Sequence, residues 1–375
     1  MYDIPLFKLN FDERENAAVN EVLDSQWIST GPKCADLESL IQRMFSVKYA
    51  LSVTNCTAAL HLALLALDIK AGDEVIVPSL TFVATANAVR YVGATPVFCD
   101  IVSLDKPVIS PDSIREAITE KTKAIIVMHY GGFACDMNEI RELADAFNLR
   151  IVEDACHGPL SEYCGVKLGT IGDVGCFSFF SNKNISTGEG GVLVTNNAAI
   201  YERVKLLRSH GMTTLSFDRA RGHSTEYDVV ELGYNYRMDD IRAALGIVQL
   251  HKLEDDIARR SRVRNWYEER LHNIDKLIIP FCGYAEKASN YIFPVVLRDG
   301  NVKKRDIVRK QLSKQGIQTS IHYPPIHRFQ IYRTVAKSGL TVTERYADSM
   351  LTLPMYGALK ENEIDAICEN LKSFL

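Results

Sequence analysis

Asp154 and Lys183 are the residues of this chain whose surroundings most suggest chemistry. Each stands at the end of an apolar, strand-like run: Ile151-Val152 leads into Glu153-Asp154, and residues 174–180 lead into Ser181-Asn182-Lys183. In open α/β sheets, ligands collect beyond the carboxyl ends of the strands. An acid and an amine at two such exits suit a bound aromatic cofactor. The carboxylate could keep a ring nitrogen protonated, and the amine could form a Schiff base with an aldehyde. Plainer readings exist for both. Asp154 could cap the helix or turn that follows it, and most lysines are solvated loop residues. Lys183, however, lies between a buried strand and Gly188-Glu189-Gly190-Gly191, a turn that lets backbone approach a ligand closely. Asn55-Cys56-Thr57 opens a helix whose free N–H groups could hold a phosphate, or could simply be capped by Thr54 or Asn55.

These residues need a sheet to bring them together. From about residue 49 to 195 the pattern alternates short apolar strands, expected at 50–53, 74–77, 96–100, 124–128, 150–153, 174–179 and 192–195, with helices such as 57–67, 110–118 and 137–147. Several strands are apolar without alternation, as expected when both faces are covered. The alternation predicts an α/β fold: a mostly parallel seven-stranded sheet with helices on both faces. Asp239-Asp240 makes a helix start, with acids at the positive end of the dipole. Ile241, Leu245, Val248, Leu253 and Ile257 then keep a helical apolar spacing. The spacing predicts a long helix that joins a large domain, residues 1–250, to a smaller C-terminal α+β domain, residues 251–375. In the second domain we expect a strand at FPVVL, a helix near 304–315 and a last helix from Glu361.

Composition narrows the partners. The 375 residues carry a net charge of −4, and the basic residues are scattered, so nucleic acid is not expected. No apolar run is long enough to cross a bilayer and the amino terminus lacks a signal-like core, so no membrane association is expected. Nine dispersed cysteines without a C-x-x-C pair read as thiols in a reducing compartment, giving a cytoplasmic location. His322 and His327 lie five residues apart, but no Cys or carboxylate completes a ligand set, so no metal is expected.

The segments EDACH and FSFFSNKNISTGEGG resemble the pyridoxal-phosphate (PLP) aminotransferases of the DegT/DnrJ/EryC1/StrS family, which act on nucleotide-linked keto-sugars within the aspartate-aminotransferase (fold-type I) superfamily. WISTGPK, VPSLTFVATANAV, GYNYRMDDIRAALG, HYPPIH and LTLPMYG follow in the family's order, so the resemblance covers nearly the whole chain. It implies a cofactor that cycles between PLP and pyridoxamine phosphate. It implies L-glutamate as amino donor and a keto-sugar nucleotide, aminated at C3 or C4, as acceptor, in amino-sugar, polysaccharide or natural-product biosynthesis.

The resemblance assigns roles residue by residue. Lys183 becomes the Schiff-base lysine that also moves a proton, and Asp154 the partner of the pyridine nitrogen. Cys56, Thr57 and Ser178 fall on the phosphate side, and Phe82 matches the aromatic that stacks on the ring. His157 could reach the ring's phenolic oxygen. Asn235 matches a residue sent across a homodimer interface to the neighbouring phosphate, which makes the active sites shared. Arg237, Tyr323 and His327 fall on the substrate side. One departure is plain: many relatives have His where this chain has Phe180, and a Pro- or Ala-containing turn where it has Ser181-Asn182. A sugar dehydratase of the same family would carry His in place of Lys183. A sensing or regulatory member would have lost the Lys or the Asp. A dinucleotide-binding dehydrogenase would need a G-x-G-x-x-G after the first strand, and none is present.

Overall fold

The computed structural model describes residues 2–214, 226–335 and 339–375. Two helices come first, α1 (Glu13–Asp24) and α2 (Pro32–Phe45). Seven strands follow that form one sheet: β1 (Tyr49–Val53), β2 (Glu74–Pro78), β3 (Thr95–Cys99), β4 (Thr122–Met128), β5 (Arg150–Asp154), then, after the short β6 (Glu162–Tyr163) and β7 (Val166–Lys167) hairpin, β8 (Val174–Ser178) and β9 (Gly191–Thr195). Between and after them lie α3 (Cys56–Ala66), α4 (Val83–Tyr91), α5 (Pro111–Ala117), α6 (Met137–Phe147) and α7 (Ala198–Leu207).

The sheet order is β1-β9-β8-β5-β4-β2-β3, and every pairing is parallel except the two made by β9. The mostly parallel seven-stranded sheet expected from the sequence is present. Its strands are buried nearly end to end, so they carry Val, Ile, Leu and Ala on both faces. The order puts β5 beside β8, with Asp154 paired to Cys176. The exits of the strands that carry Asp154 and lead to Lys183 are therefore adjacent.

A 32-residue helix, α8 (Asp240–Leu271), runs out of this layer. Its start is fixed from both ends of the pairing. Asp239 caps the Arg242 N–H, while the buried Asp240 carboxylate accepts from the N–H groups of Gly31, Lys33 and Cys34 at the start of α2. An anion placed on a helix amino terminus satisfies donors that have no partner within the helix. The buried face of α8 differs from the sequence expectation. Ala243, Gly246, Leu250, Leu253 and Ile257 face inward, whereas Ile241, Leu245 and Val248 are only half-buried. Small residues let α8 lie close to α2: a Cβ on Gly246 would stand 3.1 Å from the Leu37 side chain. That close approach turns the larger apolar residues outward.

Beyond α8 lie β10 (Leu277–Ile278), β11 (Phe293–Leu297), α9 (Val302–Lys314), α10 (Thr341–Ser349), β12 (Met350–Leu353) and α11 (Glu361–Ser373). The strands form an antiparallel sheet in the order β10-β11-β12. An apolar cluster of Val263, Tyr267 and Leu271 with Phe293, Val295, Leu351 and Ile367 packs this sheet against the end of α8 and against α11. The first residues of the chain belong here too. Ile4 pairs with Ile317, and Leu6 accepts from the Met355 N–H at 3.0 Å. Residues 4–6, read from sequence as part of 1–250, thus lie against the C-terminal sheet.

Candidate active site

The carboxylate comes first. Asp154 closes β5 at 3% exposure, with no cation in direct contact. Its Oδ2 accepts from Thr85 Oγ1 at 2.8 Å and its Oδ1 from the Cys156 N–H at 3.3 Å. Thr85 is held in turn by Thr81, 2.8 Å away one helical turn earlier. A buried carboxylate is costly unless its acceptors are filled, and α4 supplies one of the donors.

The amine faces the same space. Lys183 follows β8 in a tight turn, in which its N–H donates to Phe180 O at 2.9 Å. Its Nζ stands 4.0 Å from Cys156 Sγ and 4.2 Å from the centre of the Tyr291 ring. The return strand β9 must pass close to the start of α3. A Cβ on Gly191 would lie 2.7 Å from the Cys56 nitrogen, so only glycine fits there. At that helix start, Asn55 caps the Ala58 N–H at 2.9 Å. The N–H groups of Cys56 and Thr57 find no acceptor among the described residues.

These groups surround one cavity of about 410 Å3. Cys56, Thr57, Phe82, Asp154, Ser178, Lys183 and Tyr323 line it, so the fold brings together seven of the residues chosen from sequence. Phe82 is 54% exposed, and its ring sits 5.9 Å from that of Tyr323. Phe180, standing where many relatives have His, lines the same wall.

Four of the chosen residues lie elsewhere. His157 sits behind the wall. Its Nδ1 accepts the Gly131 N–H, so the proton resides on Nε2, which donates to the Tyr323 hydroxyl at 2.9 Å. Burial first, and then the neighbouring Lys183 ammonium, push His157 well below the usual histidine range and keep it neutral. His327 does not line this chain's cavity. Its Nδ1 is 2.6 Å from Ser79 Oγ and its Nε2 2.8 Å from Glu344, so both nitrogens are spent joining the exit of β2 to α10. Asn235 is exposed, bridging to Ser209, and Arg237 bridges to Val53; neither lines this chain's cavity. His322, five residues before His327, points to Thr352 instead, and among the described residues no three His, Cys, Asp or Glu side chains gather to hold a metal.

Other residues were missed in the sequence. Tyr291 and His322 line the cavity from the C-terminal unit, where only a Tyr ahead of an apolar run marks the first. Thr85 had a readable signal: Thr81 and Thr85 are one helical turn apart beside Phe82. Glu153, next to Asp154, is a fixture of the scaffold. Fully buried, it accepts from His129 Nε2 and from the N–H groups of Gly169, Ile171 and Gly172, which locks the turn into β8.

The donor set fits PLP. The open N–H groups of α3 with the Ser178 hydroxyl suit a phosphate. The buried, cation-free carboxylate suits a protonated ring nitrogen, and the amine suits an aldehyde. A mostly parallel seven-stranded sheet with this acid and amine at adjacent strand exits defines a PLP enzyme of fold type I. Residues 10–372 match the DegT/DnrJ/EryC1/StrS aminotransferase family. GDP-perosamine synthase of Escherichia coli O157:H7 is 37% identical, over 99% of this chain and 98% of that protein. A Streptococcus pneumoniae protein assigned as a sugar aminotransferase, solved in a PLP form and a PMP form, superimposes at a TM-score of 0.92 with 30% identity; the PLP form aligns with 100% of this chain and 98% of its own. Helicobacter pylori PseC, an aminotransferase of pseudoaminic acid biosynthesis, gives a TM-score of 0.92 at 28% identity, covering 99% and 98% of the two chains. The chain belongs to the DegT/DnrJ/EryC1/StrS aminotransferase family. It is a PLP-dependent aminotransferase.

Proposed function

We propose that this enzyme moves an amino group from L-glutamate to C3 or C4 of a keto-deoxyhexose carried on a nucleotide, releasing 2-oxoglutarate and an amino-sugar nucleotide. The observation that carries the reading is the pairing of a buried, cation-free Asp154 carboxylate with the Lys183 amine on one open cavity. The sugar is suggested by relatives named for perosamine and pseudoaminic acid.

When bound, the cofactor supplies an electron sink for a carbon that loses a proton. The protein does the rest. Cys56 and Thr57 N–H groups and the Ser178 hydroxyl would hold the phosphate, and the Phe82 ring would lie against the pyridine. Asp154, fixed by Thr85, keeps a proton on the ring nitrogen. Lys183 would hold the aldehyde and, when free, its amine would take up and return the proton lost by the substrate carbon. His157 orients the Tyr323 hydroxyl toward the substrate side.

We read the enzyme as a homodimer. Half-buried Ile241, Leu245 and Val248 on α8, with Leu232 at 83% exposure, leave an apolar surface that a second copy would cover. Asn235 would then reach the neighbour's phosphate, and Arg237 the neighbour's sugar nucleotide. We also place the division between the two domains at α8. The enzyme would act in the cytoplasm, in keeping with seven buried free thiols; no described helix is long and apolar enough to cross a membrane.

A panel of 3-keto and 4-keto sugar nucleotides assayed with glutamate tests the reaction. Turnover of at least one, with stoichiometric 2-oxoglutarate, is expected. Failure of all of them with glutamate, alongside turnover of simple 2-oxo acids, would move the enzyme to another acceptor class.

Asp154→Asn tests the electron sink. It keeps size and the Thr85 contact but removes the charge on the ring nitrogen. A hydrogen bond to a charged group is worth about 1.5–3 kcal/mol. If all of it acts on the transition state, turnover falls about 10- to 100-fold, and further if the ring nitrogen loses its proton. Single-turnover rates with glutamate measure this, and a near wild-type rate would remove Asp154 from the role.

A further inference from the structure

Tyr291 is almost fully buried beside the reactive amine. Lys183 Nζ stands 4.2 Å from its ring centre, the geometry of an ammonium over an aromatic face. The same ring packs on the His157 imidazole, with centroids 4.2 Å apart and planes 31° from parallel. His157 in turn donates to the Tyr323 hydroxyl. Tyr291 comes from the C-terminal unit, two residues before β11, so it reaches the amine from across the cavity.

The charges around Lys183 are few. From the loop after β5 come Cys156, whose thiol is pushed well above its usual range by burial and then by Asp154, and His157, pushed well below its own. From the start of α3 comes Cys56, likewise pushed up by burial. From the 322–323 segment come His322, pushed down to about 3 by burial and then by Lys183, and Tyr323, pushed up by burial. All of these are neutral near pH 7. The acids of the cavity are the exposed Glu189 and the buried Asp154, whose two oxygens are engaged by Thr85 and Cys156. Burial works against the Lys183 ammonium. Yet with Cys156, Tyr291 and Asp154 around it, the group is held above the usual lysine value. Beside that group the geometry sets the Tyr291 ring face, 4.2 Å from Nζ.

We infer that Tyr291 is a positioning residue for the reactive amine: its π face holds free Lys183 as an ammonium, and its packing on His157 fixes where that ammonium rests. The placement has a chemical purpose. A free Lys183 that settled on Asp154 would form an ion pair and take the carboxylate away from the ring nitrogen. Held on Tyr291, the amine stays on the wall of the cavity while Asp154 keeps its own task. The inference rests on Lys183 as the cofactor-bearing amine.

The test uses the full-length holoenzyme in its pyridoxamine-phosphate form, in which Lys183 is free. Competitive acetylation across a pH series, read by peptide mass spectrometry, gives the titration midpoint of Lys183 itself. Tyr291→Phe keeps the ring and is expected to keep the wild-type midpoint. Tyr291→Leu is expected to lower it by about one pH unit, since a desolvated cation–π contact is of that size. Below both midpoints, the unprotonated fraction of Lys183 then rises about tenfold. An unchanged midpoint in Tyr291→Leu, with wild-type circular dichroism, would overturn the inference. So would a fall in Tyr291→Phe as large as in Tyr291→Leu, because the hydroxyl and not the ring would then be responsible. If Tyr291→Leu does not fold, pentafluorophenylalanine placed at position 291 keeps the ring shape and inverts its face charge. A midpoint below that of Tyr291→Phe supports the inference, and an equal one overturns it. Borohydride reduction of the PLP form locates the cofactor-bearing lysine separately: an adduct away from position 183 would end that assignment while leaving the titration result intact.

Discussion

Lys183→Ala is expected to bring amine transfer down to background. Lys183 is the single amine among the residues lining the cavity, and both of its tasks, anchoring the aldehyde and moving the proton, disappear with it. Proton transfer by a positioned side chain alone contributes about 100- to 10,000-fold, and the covalent anchor adds to that. The fold has little reason to suffer. The hydrogen bond from Nζ to Cys156 Sγ is a long one, at 4.0 Å, and removing a half-buried ammonium also removes its desolvation cost. The variant should therefore keep a thermal midpoint near wild type. It should still bind PLP without a covalent bond, because Cys56, Thr57, Ser178 and Phe82 remain. The wild-type protein should be yellow, bleach toward the pyridoxamine form with glutamate, and yield one borohydride-fixed peptide containing Lys183. A fixed peptide containing a different lysine would show that Lys183 is not the anchor. A variant that unfolds, instead of one that folds and fails to turn over, would make Lys183 a structural residue.

What the chain discloses before folding follows from local physics. Each sheet strand is a short apolar run closed by a polar residue, so 150–153 and 174–179 were readable within a residue or two of Arg150–Asp154 and Val174–Ser178. The adjacency of β5 and β8 was not readable from periodicity, because non-local pairing sets it; the family motifs conveyed it indirectly. Helix α4 escaped notice for a physical reason. Its sequence VATANAVRY mixes β-branched and small residues with no strong apolar stripe, and its cap, Phe82, makes no side-chain hydrogen bond. Losing α4 meant losing Thr85 and the account of why Asp154 is tolerated so deep. His327 carried a substrate role by motif alone. The geometry gives it to Ser79 and Glu344, contacts 248 and 17 residues away that no local pattern announces. Tyr291 was hidden likewise, since its partners lie at Lys183 and His157, in a different part of the chain.

Asn235 raises the question of which chain completes the site, and a mixing experiment answers it. Asn235 is exposed and does not line the cavity of its own chain. If it serves the neighbour's phosphate, Lys183 and Asn235 of one site come from different subunits. Two inactive variants, Lys183→Ala and Asn235→Asp, then complement each other; the second sets a carboxylate against the phosphate. In a mixed dimer one site holds both lesions and the other holds neither. Random exchange makes half the dimers mixed, each with one intact site of two, so activity should return to about a quarter of wild type under two-fold symmetry. If both residues served one site from one chain, every site in a mixed dimer would carry one lesion and no activity would return. Native mass spectrometry of differently tagged subunits establishes that exchange has occurred. Exchange without recovery would refute the shared site, and a single-subunit mass at assay concentration would refute the dimer itself. Recovery near a quarter would also give the half-buried apolar stripe of α8 its occupant, since Ile241, Leu245 and Val248 begin six residues after Asn235 on the same stretch of chain.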